Sequence, residues 1–171
     1  LPCFVVPSFE GRDPRTVGRP LLKCAPQRLA PFPGPPGARL VDVGTTNRTR
    51  LADYERSVEN AAAVLKVHPS NYRVAGFSEE APLEEMVALG RESSLPTAFD
   101  IGSGLIDDRT PWLDGPPPKW LADEPGVRQS IEAGADLAMF SGDKLFGGPQ
   151  AGIIVGQRDL IGRLRRHPVS R

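Results

Sequence analysis

From residue 39 onward, short apolar runs alternate with helical patterns, and this alternation restricts the possible folds more than any other feature of the sequence. Runs that are apolar throughout are typical of strands covered on both faces of a sheet. The predicted strands span 39–43, 62–67, 97–101, 137–140 and 152–155, and the predicted helices span 51–59, 83–92, 127–133 and 158–166. This order predicts an α/β fold with a largely parallel, doubly wound sheet.

Size and charge exclude several classes of protein. The chain has 171 residues, which suits one domain, and its 21 basic residues balance 21 acidic ones. A neutral chain does not hold nucleic acid by bulk charge alone. No apolar run approaches the roughly 20 residues that span a bilayer, so we predict no membrane segment. The first residues lack the basic start of a signal peptide, and the chain begins at Leu1 rather than Met, which indicates a fragment.

Residues 1–38 differ in composition from the rest of the chain. Nine of the 19 prolines fall there, and proline ends helices and removes donors from central strands. We therefore predict a weakly ordered, extended arm at 1–38, followed by the folded part at 39–171. Cys3 and Cys24 are too far apart for a close metal-binding pair and form no disulfide framework, so we predict two reduced thiols and no metal site. Such thiols are compatible with the cytoplasm, where we place the protein.

Ligands of doubly wound sheets bind beyond the carboxyl ends of the strands, so the polar residues there are the first candidates for a site. Lys144 follows the strand 137–140 and has glycines on both sides. The chain has only four lysines against 17 arginines, so a lysine at this place is not generic surface charge. A partly desolvated lysine can act as an amine nucleophile or form an imine. The same spacing is equally typical of a lysine in a solvated turn.

Two further strand ends carry polar groups. Asp100 ends the strand 97–101, and its carboxylate with the Lys144 amine would make the pair that a pyridoxal phosphate ring needs. A carboxylate that caps a turn is the commoner use of such a residue. Asn71, in the segment after the strand 62–67, could contact the edge of a cofactor or simply stabilise a turn. His68 shows no partner pattern typical of a metal ligand or a catalytic triad.

Four motifs in this order resemble the selenocysteine synthases, the bacterial L-seryl-tRNA(Sec) selenium transferases. They are VGTTNRT at 43–49, KVHPSNYRVAGF at 66–77, DIGSG at 100–104 and SGDKLFGGPQAGIIVG at 141–156. The ending LRRHPVSR at 164–171 fits as well, so the resemblance covers residues 38–171. Long motifs in a fixed order and spacing are far more specific than any one of them alone.

The resemblance implies the large domain of a fold-type-I pyridoxal phosphate enzyme, present here in incomplete form. It implies that Lys144 is the imine lysine and that Asp100 is the partner of the ring nitrogen. Asp143 would lie beside the lysine in the active site, and Ser141 would lie near the cofactor phosphate. Arg171 aligns with an arginine of a family segment that helps bind the anionic selenium donor.

The resemblance also implies a reaction and its partners. L-seryl-tRNA(Sec) would be converted to L-selenocysteinyl-tRNA(Sec) with selenophosphate, through a cofactor imine and a dehydroalanyl intermediate, by a large ring-like homo-oligomer. Two alternatives remain open: a related pyridoxal phosphate lyase that acts on a small amino acid, and a noncatalytic truncated remnant. Residues 1–38 do not resemble the family, and their composition is typical of GC-rich DNA read out of frame. We therefore expect the true gene to continue upstream in another frame.

Overall fold

The described residues fall into two compact units. The computed structural model describes the backbone of residues 3–7 and the whole of residues 41–44, 48–72 and 76–167. The first unit contains the described residues up to 66 together with 76–97, and the second contains 67–72 and 98–167.

The first unit is built on three antiparallel strands. Strand β1 (Cys3–Pro7) pairs with β2 (Val41–Val43) on one side and with β4 (Ala61–Val67) on the other. Two short parallel strands, β3 (Arg48–Thr49) and β5 (Glu79–Glu80), form a separate ladder. The helices of this unit are α1 (Leu51–Glu55) and α2 (Leu83–Glu92).

A small apolar core joins these elements. Tyr54 of α1, Val64 of β4 and Met86 of α2 are completely buried, and Val43 of β2 packs with them. In α2 the buried residues Met86, Val87, Leu89 and Gly90 lie on one stripe, which is the pattern of an amphipathic helix. Strand β4 contributes to this core and belongs to the first unit except for its last residue, Val67, which belongs to the second.

Lys66 is the charged residue of β4, and its side chain is 93% buried. Its ammonium group has both a hydrogen-bond acceptor and a carboxylate partner within the first unit. Its Nζ donates to the carbonyl oxygen of Ala81 at 2.6 Å and lies 2.5 Å from Oε1 of Glu80. A buried ammonium is tolerated when it is paired and hydrogen-bonded in this way. Lys66 therefore joins β4 to the segment that precedes α2.

The second unit carries the candidate site. Strand β6 (Thr97–Gly102) runs parallel to β7 (Leu137–Ser141), with Asp100 opposite Met139. The crossover between them contains a 3₁₀ turn (Lys119–Leu121) and α3 (Val127–Glu132), which packs on β7. Strand β8 (Gly152–Gly156) is antiparallel to β7, and α4 (Arg158–Arg166) packs on β8.

The predicted α/β class is confirmed, with three refinements. The strand β8 is antiparallel because the loop from Ser141 to Gly152 is too short for a parallel crossover, which needs a dozen or more residues. The helix predicted at 51–59 ends at Glu55, and Asn60 takes a positive φ of 65° before β4 begins. Strand β1 lies inside the predicted arm, whose residues 8–38 are outside the described part of the chain. The boundary at 38 stays a prediction.

Candidate functional site

Asp100 lies near the end of β6 and is half-buried. Burial raises the pKa of its carboxyl group, although a hydrogen bond from the backbone of Gly102 and the positive charge of Lys144 act in the opposite direction. The backbone carbonyl of Asp100 accepts a hydrogen bond of 2.7 Å from the N–H of His68. The carboxylate is thus held at a strand end with part of its hydration removed, where a cationic partner would be stabilised.

Gly102 brings three parts of the second unit together. Its φ is +74°, and a Cβ atom built on it would lie 2.8 Å from Oγ of Ser70 and 4.0 Å from Nζ of Lys144. The amine of Lys144 therefore lies over the backbone of Gly102, two residues after Asp100. The structure brings together the lysine and the carboxylate that the sequence singled out.

The loop that carries Lys144, residues 142–151, is fixed by its backbone. The N–H of Leu145 donates to the carbonyl of Ser103 at 2.9 Å, and the N–H of Gly148 donates to Gly142 at 2.7 Å. The ring of Phe146 packs edge-on against Phe140 of β7, with 5.9 Å between the ring centres. The side chain of Lys144 is exposed, so the loop holds the main chain in place and leaves the amine accessible.

Gly104 is the point where this loop meets the end of β6. It has a φ of +78°, and a Cβ atom there would lie 2.8 Å from the carbonyl oxygen of Ser141 and 3.2 Å from Cβ of Phe146. Only a residue without a side chain permits so close an approach. The backbone of Gly102–Ser103–Gly104 therefore packs directly against the loop that carries Lys144.

Ser141 and Asp143 contact each other at the start of this loop. The hydroxyl of Ser141 donates to Oδ1 of Asp143 at 2.5 Å, and the Asp143 side chain is exposed. The resemblance gives these residues separate roles, near the cofactor phosphate and beside the lysine. In the structure the hydroxyl hydrogen of Ser141 is already donated to the carboxylate of Asp143.

The segment after β4 forms the other side of the site. The N–H of Ser70 donates to the carbonyl of His68 at 2.9 Å, and Nε2 of His68 lies 3.4 Å from Oε2 of Glu124. Asn71 follows as an exposed turn residue, and the described residues give it no contact with Lys144 or Asp100. Arg171 lies outside the described residues.

The sequence reasoning missed Ser70 and Ser103 as members of the site. Ser103 is 96% buried, and within the part of the chain that the structure describes its Oγ has no hydrogen-bond partner. The only sequence signal at Ser103 is its pair of flanking glycines, Gly102 and Gly104. Ser70 gave no signal, because only the fold brings it opposite Gly102.

A buried carboxylate beside the site has a structural role. Asp107 accepts hydrogen bonds of 2.8 Å from Nε and Nη2 of Arg109 and from Nε2 of Gln129. The side chain of Arg109, and then that of Gln129, hold the pKa of Asp107 well below its usual range. These bonds fasten the loop after β6 to α3.

The residues present fit pyridoxal phosphate. The accessible amine of Lys144 suits its aldehyde, and the half-buried carboxylate of Asp100 suits a ring nitrogen that carries a proton. The buried hydroxyl of Ser103, which has no hydrogen-bond partner among the described residues, is a further polar group at this strand end. Among the described residues, no group of three or more His, Cys, Asp and Glu side chains is placed to hold a metal ion. None of the helices described is long and apolar enough to cross a membrane.

This α/β fold, with a lysine and a carboxylate at adjacent parallel strand ends, is that of the large domain of fold-type-I pyridoxal phosphate enzymes, present in part. Residues 34–171 match the family described as SelA, L-seryl-tRNA selenium transferase. The chain belongs to this family, which confirms the resemblance seen in its motifs.

Relatives from several bacteria agree with this assignment. The chain is 52% identical over 136 residues to the L-seryl-tRNA(Sec) selenium transferase of Nitratidesulfovibrio vulgaris, which covers 79% of this chain and 28% of that protein. It is 48% identical over 145 residues to the transferase of Moorella thermoacetica, covering 84% of this chain and 29% of the relative. This chain therefore spans well under a third of the length of these relatives.

A solved structure shares the fold. D-glucosaminate-6-phosphate ammonia-lyase superposes with a TM-score of 0.53 at 24% sequence identity, over 73% of this chain and 28% of that one. At this identity the likeness supports the α/β fold and carries no argument about the reaction.

Proposed function

We propose that this chain is part of a pyridoxal phosphate enzyme that converts L-seryl-tRNA(Sec) to L-selenocysteinyl-tRNA(Sec), with selenophosphate as the selenium donor. The observation that carries the proposal is the position of the Lys144 amine over Gly102, two residues after the half-buried Asp100. The names of the relatives supply the substrate class, and the cytoplasm is the compartment we propose. The resemblance adds a ring-like homo-oligomer, which sedimentation of the full-length protein would test.

The cofactor, when bound, would supply an aldehyde that joins to an amine and a ring that stabilises negative charge on the attached carbon. Lys144 would hold it through Nζ, and Asp100 would keep a proton on the ring nitrogen. The partial burial of Asp100 strengthens its attraction to such a cation, because little water competes for the carboxylate. Ser141 and Asn71 would contact the cofactor, Ser141 near its phosphate.

Lys144 has a second task in this proposal. When its Nζ is free, it would be the base that takes the proton from the α-carbon of the seryl group. Asp143, one residue earlier in the fixed loop, would sit beside that amine. The β-hydroxyl would leave with a proton as water, selenium would bond to the β-carbon, and a water molecule would replace selenium on phosphorus, so that phosphate is released.

The selenium donor carries negative charge, and arginine suits it. A guanidinium group matches phosphate oxygens with two parallel hydrogen bonds, which a lysine cannot do. Arg171 is the residue of this chain that we assign to the donor.

Reductive trapping tests the site directly. The protein is incubated with pyridoxal phosphate, reduced with borohydride, digested, and mapped by peptide mass spectrometry. We expect the label at Lys144 and its loss in Lys144→Ala, whereas Lys119→Ala, which removes an exposed lysine on the 3₁₀ turn, retains the label. Equal labelling of Lys119 and Lys144 would contradict a specific site and favour a noncatalytic remnant.

The substrate is tested separately. The full-length protein is supplied with seryl-tRNA(Sec) and selenophosphate, and the esterified amino acid is identified by mass spectrometry. Formation of selenocysteinyl-tRNA is the expected result. Trapping at Lys144 without this product, but with release of ammonia from a free amino acid, would favour a lyase that acts on small amino acids.

A further inference from the structure

Helix α4 carries a concentrated positive charge. It has nine residues, its single acidic residue is Asp159, and its arginines are all exposed. Of the described helices, α4 is the one in which basic residues outnumber acidic ones, and it belongs to a chain whose net charge is zero. We call its arginines the basic face of α4: Arg158, Arg163, Arg165 and Arg166.

The basic face lies on one side of the helix. With about 100° per residue, the four arginines fall within an arc of roughly 160°. The apolar residues Leu160, Ile161 and Leu164 occupy the opposite side, and the first two of them are half-buried. An amphipathic helix packs by its apolar side, so the guanidinium groups are left together in solvent.

Within the part of the chain that the structure describes, no arginine of the basic face has a carboxylate partner. Other arginines do form such pairs. Nε of Arg50 lies 3.0 Å from Oε2 of Glu79, and Nε of Arg109 lies 2.8 Å from Oδ1 of Asp107. The positive charge of the basic face is therefore not neutralised by its surroundings, and its N–H donors are available to an anion from outside.

The chemistry of this surface suits a nucleic-acid backbone. A duplex carries one negative charge per roughly 1.7 Å of its axis, and a helix of nine residues is about 13 Å long, so a duplex lying along α4 presents about eight charges. Each guanidinium group can bind phosphate oxygens through two parallel hydrogen bonds. Because the chain as a whole is neutral, attraction of a nucleic acid requires a local positive surface of this kind.

The basic face belongs to the same unit as the lysine of the candidate site. Strand β8, which precedes α4, pairs with β7, and Gly152 of β8 lies opposite Ser141 at the start of the lysine loop. Strand β8 has five residues and is about 17 Å long. Contacts on α4 can therefore hold the body of a tRNA while its aminoacyl end lies at the site in the same unit.

We propose that the basic face of α4 binds phosphate groups of the tRNA substrate and holds the tRNA backbone against the second unit. Phosphate contacts fix the position of a bound nucleic acid and read no sequence, so the face adds affinity for tRNA in general. The inference rests on the proposed function, from which the tRNA substrate comes. It requires no contact between α4 and the reacting atoms.

The test measures tRNA affinity as a function of salt, with the full-length protein and fluorescently labelled tRNA(Sec). Fluorescence anisotropy gives the dissociation constant for wild type, for Arg163→Gln and for the triple variant Arg163→Gln/Arg165→Gln/Arg166→Gln. Arg91→Gln is the matched control, because Arg91 is an exposed arginine in the last turn of α2, in the first unit. Sedimentation of each variant reports its oligomeric state.

We expect each arginine removed from the basic face to lower the slope of log affinity against log salt by about one, so the triple variant should lower it by about three. At low salt the affinity of the triple variant should fall about tenfold. The fall should be the same for tRNA(Sec) and for a tRNA of another amino acid, because phosphates are common to both. Arg91→Gln should leave the slope unchanged.

An unchanged slope in the triple variant would overturn the inference. So would an equal fall of the slope in Arg91→Gln and Arg163→Gln, because net charge alone would then explain the loss. A changed sedimentation coefficient with unchanged tRNA affinity would also overturn it, since the basic face would then join subunits through an acidic protein surface. If wild type does not bind tRNA(Sec), the proposed function fails, and the inference fails with it.

Discussion

Gly104→Ala tests whether the lysine loop rests on backbone that only glycine allows. A residue with a Cβ atom at a φ of +78° costs about 1–2 kcal/mol. The added methyl group would also lie 2.8 Å from the carbonyl oxygen of Ser141, which belongs to the main chain and cannot rotate away. Forcing an extra methyl group into a packed place costs a further ~1–3 kcal/mol. The expected loss is therefore about 2–5 kcal/mol in the free energy of unfolding.

Gly147→Ala is the matched control for this variant. Gly147 has nearly the same φ, +72°, but a Cβ atom there would meet nothing within 4 Å. Its expected cost is the backbone term alone, about 1–2 kcal/mol. Urea unfolding followed by circular dichroism compares the two, and trapping with borohydride reports on the loop. Equal free energies of unfolding in the two variants would refute the idea that the Ser141 carbonyl is what excludes a side chain at 104.

Asp100 and Asp107 should make the stability of the protein depend on pH in opposite ways. In both cases the thermal midpoint of the cofactor-free protein is measured. Burial raises the pKa of Asp100, so the ionised form of this side chain destabilises the folded protein. Asp100→Asn should therefore be more stable than wild type, and the difference should grow as the pH rises above 3.8. The affinity of this variant for pyridoxal phosphate should fall. A margin that does not change with pH would contradict this account of Asp100. The pKa of Asp107 is lowered, so Asp107→Asn should be less stable than wild type at neutral pH, and the difference should shrink as the pH falls below 3.8. A difference that persists unchanged in acid would show that the Asp107 charge is not what stabilises the loop.

The sequence was informative where a pattern is local. The apolar runs predicted β4, β6, β7 and β8 to within one residue at each end. Strand β8 is apolar in sequence, but its residues alternate between exposed and half-buried, so it is not covered on both faces. The sequence places Lys144 between glycines after β7, and in the structure this segment is a loop held by backbone hydrogen bonds. The two-residue strands β3 and β5 escaped prediction because they are too short to show any periodicity.

What the sequence did not show depends on groups that are distant along the chain. Ser70 and Gly102 are 32 positions apart and meet only after β6 forms, so no local pattern links them. Ser103 looks like an ordinary turn serine in the sequence. Only the structure shows that its hydroxyl is buried and has no hydrogen-bond partner among the described residues. The direction of β8 follows from loop length, which is visible in the sequence but becomes decisive only once the end of β7 is known.

The hydrogen bond from Leu145 to Ser103 has a consequence for how the Lys144 amine can move. It fastens the main chain one residue after Lys144, while the lysine side chain remains exposed. In the proposed reaction, the amine would therefore change its bonding partner without opening of the loop. Reorientation of the amine needs only rotation about side-chain bonds, which takes picoseconds to nanoseconds, whereas loop motion is slower by orders of magnitude.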